Sequence, residues 1–190
     1  MVKEKPESTR CYDPDGYRRR AACVCARGYG SHLEVLLVSS SRSRERWVIP
    51  GGGIEPNESP AEAARREVQE EAGVRGDVQR FLGVFENPES RNRTTVFLLL
   101  VTEVLDLYDD VKIGRQRRWF SADEARHNLS LHKPRQSRYL DFIEHNRASV
   151  LALVNGAPCQ HLSDPPVDAQ GDRNHPNNHS PSTSPSLNIQ

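Results

Sequence analysis

Glu67, Glu70 and Glu71 stand three and four residues apart in the stretch REVQEEAG, a spacing that gathers side chains on one face of an α-helix. Like charges at that spacing cost a few tenths of a kcal/mol on an exposed helix. These acids also fall in the half of the helix whose dipole disfavours anions. The plain reading is a solvated glutamate face, with Arg66 able to pair with Glu70. The chemical reading is a compensating divalent cation, since carboxylate oxygens are hard ligands suited to Mg²⁺ or Mn²⁺ with water in the remaining positions. Three glycines, Gly51 to Gly53, come shortly before, and they permit a close backbone approach.

The neighbouring residues say which element carries the acids. Ser59 as N-cap, Pro60 at the first position and Glu62 completing a capping box predict a helix from Pro60, and Gly73 predicts its left-handed end, so the helix runs to about Ala72. Ala61, Ala64, Val68 and Ala72 form its apolar stripe. AACVCAR and EVLLVSS read as a hairpin, and RWVIP as a third strand running into the glycines. FLGVFEN, TTVFLLLVTEV and RRWF add three more strands. SADEARHNL reads as a short helix capped by Ser121, and KPRQSRYLDFIEHNR as a longer one with Tyr139, Phe142 and Ile143 on its apolar side. Alternating strands and helices predict an α/β sheet covered by helices.

From about residue 148 the chain turns rich in Pro, Asn, Ser and His, which predicts a disordered polar tail over 148–190. His161, His175 and His179, and the Ser-Pro pairs at Ser180 and Ser184, are read as solvated tail residues. Lys+Arg and Asp+Glu are equal at 26 each, which argues against a polyanion-coating protein without excluding a basic pocket. Mean hydropathy is −0.73, and no run approaches the roughly 20 apolar residues of a membrane helix, so no membrane partner is expected. Four cysteines without a C-x-x-C pair predict buried reduced thiols and a cytoplasmic or nuclear setting. Cys23 and Cys25 are expected on one face of a strand.

Gly52, five residues, Glu58, seven residues and then REVQEEAGV resemble the complete signature of the Nudix hydrolases. That resemblance implies a Nudix-type α/β/α sandwich with a mixed central sheet and hydrolysis of a diphosphate bond. By position, Glu67, Glu71 and the Gly51 carbonyl resemble the family's metal ligands. Glu70 resembles its general base, and Arg66 is implied to orient a carboxylate. The cofactor so implied is Mg²⁺, with Mn²⁺ or another divalent metal as an alternative. The words TRCYDPDGYRRRAACVC, RWVIPGGGIEP, IGRQRRWF and HKP are similar to one subfamily, the diphosphoinositol polyphosphate phosphohydrolases. That likeness implies substrate contacts at Arg10, Arg18, Arg19, Arg20, Ser40, Ser41, Arg42, Ser90, Arg91, Asn92, Arg115 and Lys133. It divides the chain into an extension over 1–16 that contributes to the substrate site, a Nudix domain over 17–147, and the tail.

The implied substrates are small and highly phosphorylated: inositol pyrophosphates first, diadenosine polyphosphates second. Arginine, with its fork of donors, suits such ligands. The alternatives are primary action on diadenosine polyphosphates, inorganic polyphosphate or mRNA caps, and, in another class, a non-catalytic inositol phosphate sensor. With 6% aromatic content and no interleaved stacking pairs, no stable nucleic-acid partner is expected, capped RNA entering only as a substrate.

Overall fold

The computed structural model describes residues 10–29 and 32–156. The start of the expected extension and the stretch from Ala157, with its histidines, Ser-Pro pairs and Cys159, lie outside the described residues.

Among the described residues, seven strands form one mixed sheet. Strand β1 (Arg18–Tyr29) turns back into β2 (His32–Ser40), the expected hairpin, with Ala26 opposite Val35. Strands β3 (Ser43–Val48) and β4 (Gly51–Gly53) follow. The long hairpin of β5 (Val74–Asn87) and β6 (Asn92–Val104) joins the sheet through a parallel β1–β6 pairing. Strand β7 (Arg117–Ser121) pairs with β2.

Helix α1 (Pro60–Ala72) has the predicted bounds, with both capping-box hydrogen bonds made and Gly73 at φ 58°. A residue bearing a side chain would be strained there, and its Cβ would also meet the Tyr108 ring at 2.5 Å. The alternation of β1 sorts its side chains between two cores. Ala21, Cys23 and Cys25 pack under α1 with Ala64, Val68 and Ala72. Ala22, Val24 and Ala26 face Leu129 of α2 (Ala122–Ser130) and the C-terminal helices. Helices thus cover both faces, as an α/β/α sandwich requires.

Two expectations are corrected. The single helix over KPRQSRYLDFIEHNR is broken into α3 (Pro134–Ser137), a 3₁₀ turn (Arg138–Leu140) and α4 (Asp141–His145). Ser137 Oγ donates to the Pro134 carbonyl at 2.6 Å, at the end of α3. Such local bonds compete with the helical ladder. The fold also continues past residue 147. Helix α5 (Arg147–Val154) buries Val150 and Leu153 against the second core, so residues 148–154 belong to the domain rather than the tail.

Candidate active site

The pairing of β4 with β1, Ala22 opposite Gly51, lays the glycines along the acidic edge of α1. The Gly51 N–H donates to Glu71 Oε2 at 2.9 Å. A Cβ on Gly52 would lie 2.1 Å from the Glu67 carboxyl carbon, so any other residue there would displace Glu67 from its 7%-exposed position.

Two guanidinium groups thread the acids. Arg66 forks onto Glu58, with Nε to Oε1 at 2.8 Å and Nη2 to Oε2 at 2.9 Å. It also donates to Glu67 Oε1 at 2.9 Å and to the Gly53 carbonyl at 3.0 Å, with Glu70 Oε1 3.6 Å from Nη1. Arg115 bridges Glu71 at 2.8 Å and Asp110 at 3.0 Å. The crowding of like charges is therefore relieved within the chain, and that crowding does not by itself call for a metal. Among the described residues no three His, Cys, Asp or Glu side chains converge into a cage. The donor set nonetheless fits a hard divalent ion. Glu67 and Glu71 flank the glycine strand, and the Gly51 carbonyl adds a third oxygen while receiving a bond from Arg20 at 2.9 Å. A site of this kind leaves several positions to water.

Burial pushes the Glu71 carboxyl from the usual 4.5 up to about 7; the Glu67 and Asp110 charges add to the rise, and Arg115 and the Gly51 N–H oppose it. Between these values the folded chain holds a proton that the unfolded chain has released, so stability falls as pH rises through that window. In EDTA, urea melts are expected to show a loss of at most ~3 kcal/mol between pH 5 and 8 from this group. Glu71→Gln should abolish that component, and an unchanged pH profile in the variant would remove Glu71 as its source.

Next to this cluster opens a cavity of about 760 Å³. Its walls include Arg20, Ser40, Ser41, Arg42, Gly51, Glu71, Ser90, Asn92, Arg115 and Lys133, all singled out from the sequence. Arg18 stands close by, in the field of Arg20, Arg10 and Glu67. Burial first, and then the charges of Arg20 and Arg10, hold its guanidinium below the ordinary arginine range. Its Nε is buried without a hydrogen-bond partner, as is that of Arg115. Arg19 alternates to the other side of β1 from Arg18 and Arg20, is exposed and does not line the cavity. Arg91 is not among the lining residues either. It adopts φ 46°, donates to the Asp15 carbonyl at 3.1 Å and lies over the Tyr17 ring.

The NUDIX domain family model matches residues 16–143. The chain is 51% identical over 142 residues to diphosphoinositol polyphosphate phosphohydrolase 2 of Homo sapiens, a match covering 74% of this chain and 78% of that protein. It is 54% identical over 142 residues to diphosphoinositol polyphosphate phosphohydrolase 3-alpha of Mus musculus, covering 74% and 86%. The chain belongs to the NUDIX family. A NUDIX hydrolase from Nitrosomonas europaea has the same fold, with TM-score 0.53 and 21% identity over 80% of this chain and 84% of the other. NUDIX hydrolases generally need a divalent metal.

The cavity of this NUDIX protein also has walls that sequence reasoning missed. His132, Gln136 and Tyr139 line it, as do Glu89 and Arg135, which pair at 3.1 Å. His132 Nε2 lies 3.1 Å from the Trp47 carbonyl, and Gln136 Oε1 accepts from the Ile49 N–H at 3.1 Å. HKP carried a sequence signal through Lys133 alone. Arg135, Gln136 and Tyr139 come from α3 and the 3₁₀ turn after it, His132 from just before α3, and Glu89 from the turn between β5 and β6.

Proposed function

We propose that this NUDIX protein is a Mg²⁺-dependent phosphohydrolase that removes the β-phosphate of diphosphoinositol polyphosphates, with diadenosine polyphosphates as secondary substrates. The observation that carries this reading is the cavity lined by Arg20, Arg42, Arg115, Arg135 and Lys133 together with Gly51 and Glu71. Phosphate groups bring about −1.5 to −2 charges each, and a wall of arginines matches such a ligand better than one carrying a single diphosphate. The names of the two similar phosphohydrolases support the same substrate class.

Glu67, Glu71 and the Gly51 carbonyl would hold the ion. A divalent cation bound there lowers the pKa of its water and neutralises charge on the phosphoryl oxygens. Glu70, its side chain 33% exposed, receives the proton of the attacking water. That water's oxygen bonds to the β-phosphorus, the phosphoanhydride bond breaks, and inorganic phosphate leaves as the inositol phosphate oxygen keeps the electron pair. Arg66 keeps Glu67 oriented, while Arg20, Arg42 and Lys133 bind the remaining phosphates. A reducing cytoplasmic or nuclear setting belongs to this reading. Free Cys11, Cys23 and Cys25 support it, and burial pushes the Cys23 thiol up to about 12.

Purified protein with Mg²⁺ should turn over an inositol pyrophosphate faster than diadenosine hexaphosphate, inorganic polyphosphate or capped RNA. If the inositol compound ranks last, the substrate assignment fails. Tight inositol phosphate binding with no turnover of any of the four would make the protein a sensor.

A further inference from the structure

We propose that Arg93, which does not line the cavity, is a positioning residue: it fastens the Asp13–Tyr17 turn to the β5–β6 hairpin and so sets Arg18 and its neighbours for a polyanion. This role rests on the substrate class proposed above. Arg18 and Arg20 are like charges close together, and a chain end that merely passed nearby would let them splay apart. Something must hold the approach to β1.

The turn is closed by Asp13, whose Oδ1 accepts the N–H of Tyr17 at 2.8 Å and that of Asp15 at 3.0 Å. The other oxygen of Asp13 accepts from Arg93 Nη1 at 2.8 Å, and the same nitrogen reaches Asp15 Oδ2 at 2.6 Å. Arg93 Nε donates to Glu86 Oε2 at 2.8 Å. The guanidinium carbon lies 4.5 Å from the centroid of the Tyr17 ring. One side chain of β6 thus grips both acids of the turn, the aromatic ring that ends it and an acid of β5. The next residue is Arg18, whose N–H donates to the Arg91 carbonyl at 2.8 Å. The parallel register sets Arg18 opposite Asn92 and Arg19 opposite Arg93.

A second consequence is electrostatic. Glu86 lines the cavity, and a carboxylate on an anion-binding wall repels substrate unless it is matched. Arg93 supplies the match. Its removal would both loosen the turn and leave Glu86 without its cationic partner, the Tyr17 hydroxyl remaining bonded to it.

The test is Arg93→Met, read against the parent by calorimetric binding of inositol hexakisphosphate, by kcat and KM on an inositol pyrophosphate, and by amide hydrogen exchange. The expected result is Kd and KM raised by about tenfold, toward the lower end of the usual range for a coupling between sites, with kcat within about threefold and faster exchange at Tyr17 and Arg18. Adding Glu86→Gln should recover part of the lost affinity. Should Arg93→Met not fold, Asp15→Asn, at an exposed position, takes its place and should move the same readouts in the same direction by less. A Kd unchanged within about twofold, a kcat that falls as far as affinity does, or unaltered exchange at Tyr17 would each overturn the role. A parent protein that neither binds the probe nor turns over the pyrophosphate would instead sink the substrate class, while exchange would still decide whether Arg93 holds the turn.

Discussion

Glu70→Gln is expected to lower kcat by about 10²–10⁴-fold, the contribution of a positioned general base, while binding of inositol hexakisphosphate stays within about twofold of the parent. Glutamine keeps the size and polarity of the side chain and loses only the capacity to take a proton. The structure makes this a clean substitution. Glu70 is not among the cavity-lining residues, and its approach to Arg66 is a long 3.6 Å. Glu67 and Glu71, the proposed metal ligands, sit deeper, with side chains 9% and 14% exposed. Single-turnover kinetics would separate the chemical step from product release. Equal rates in variant and parent would take the role of base away from Glu70.

Arg66→Met should produce the largest loss of stability of any single change at the site. Arg66 is 22% exposed and forks onto Glu58, 15% exposed, and Glu67, 9% exposed. The Glu58 hydrogen bond first, and then Glu67, raise its pKa well beyond the ordinary arginine range. Removing one partner of a buried pair leaves uncompensated charge, at a cost of about 3 kcal/mol for a site with this much solvent access. In a chain of this size that is a fall in Tm of about 10 °C. Divalent metal should widen the gap, because stabilisation by mass action is larger for the parent, which binds the ion more tightly. Metal affinity itself should fall by about 10–100-fold, since Glu67 loses the group that orients it. Thermal melts with and without MgCl₂ read both effects. A Tm unmoved in EDTA would show that Glu58 and Glu67 find water or other donors instead.

Both changes act within a segment whose architecture was legible from a few adjacent residues. A capping box, a helix-starting proline and a left-handed glycine cap are local devices, each complete within one turn, so α1 has its predicted ends. Short apolar runs likewise marked β1, β2 and β6, because a strand covered by helices on both faces is apolar on both. The chain past residue 147 departs from the sequence expectation for the same reason in reverse. RASVLALV borders a polar stretch in composition, and only the waiting surface of the second core makes a helix worth forming there.

By itself, then, the sequence determined which residues carry the acids, on which helix edge, and which family the chain resembles. Tertiary structure decided how those acids are balanced and which basic residues meet. Arg115 reaches Glu71, and Arg93 reaches Asp13 across 80 positions. Arg20 joins the cavity wall while Arg19, its neighbour, is turned away. Charge pairing acts through space over a few ångströms, and the distances are set by the β1–β6 register and the folding of the broken helix. Neither of these is written in any short stretch of chain.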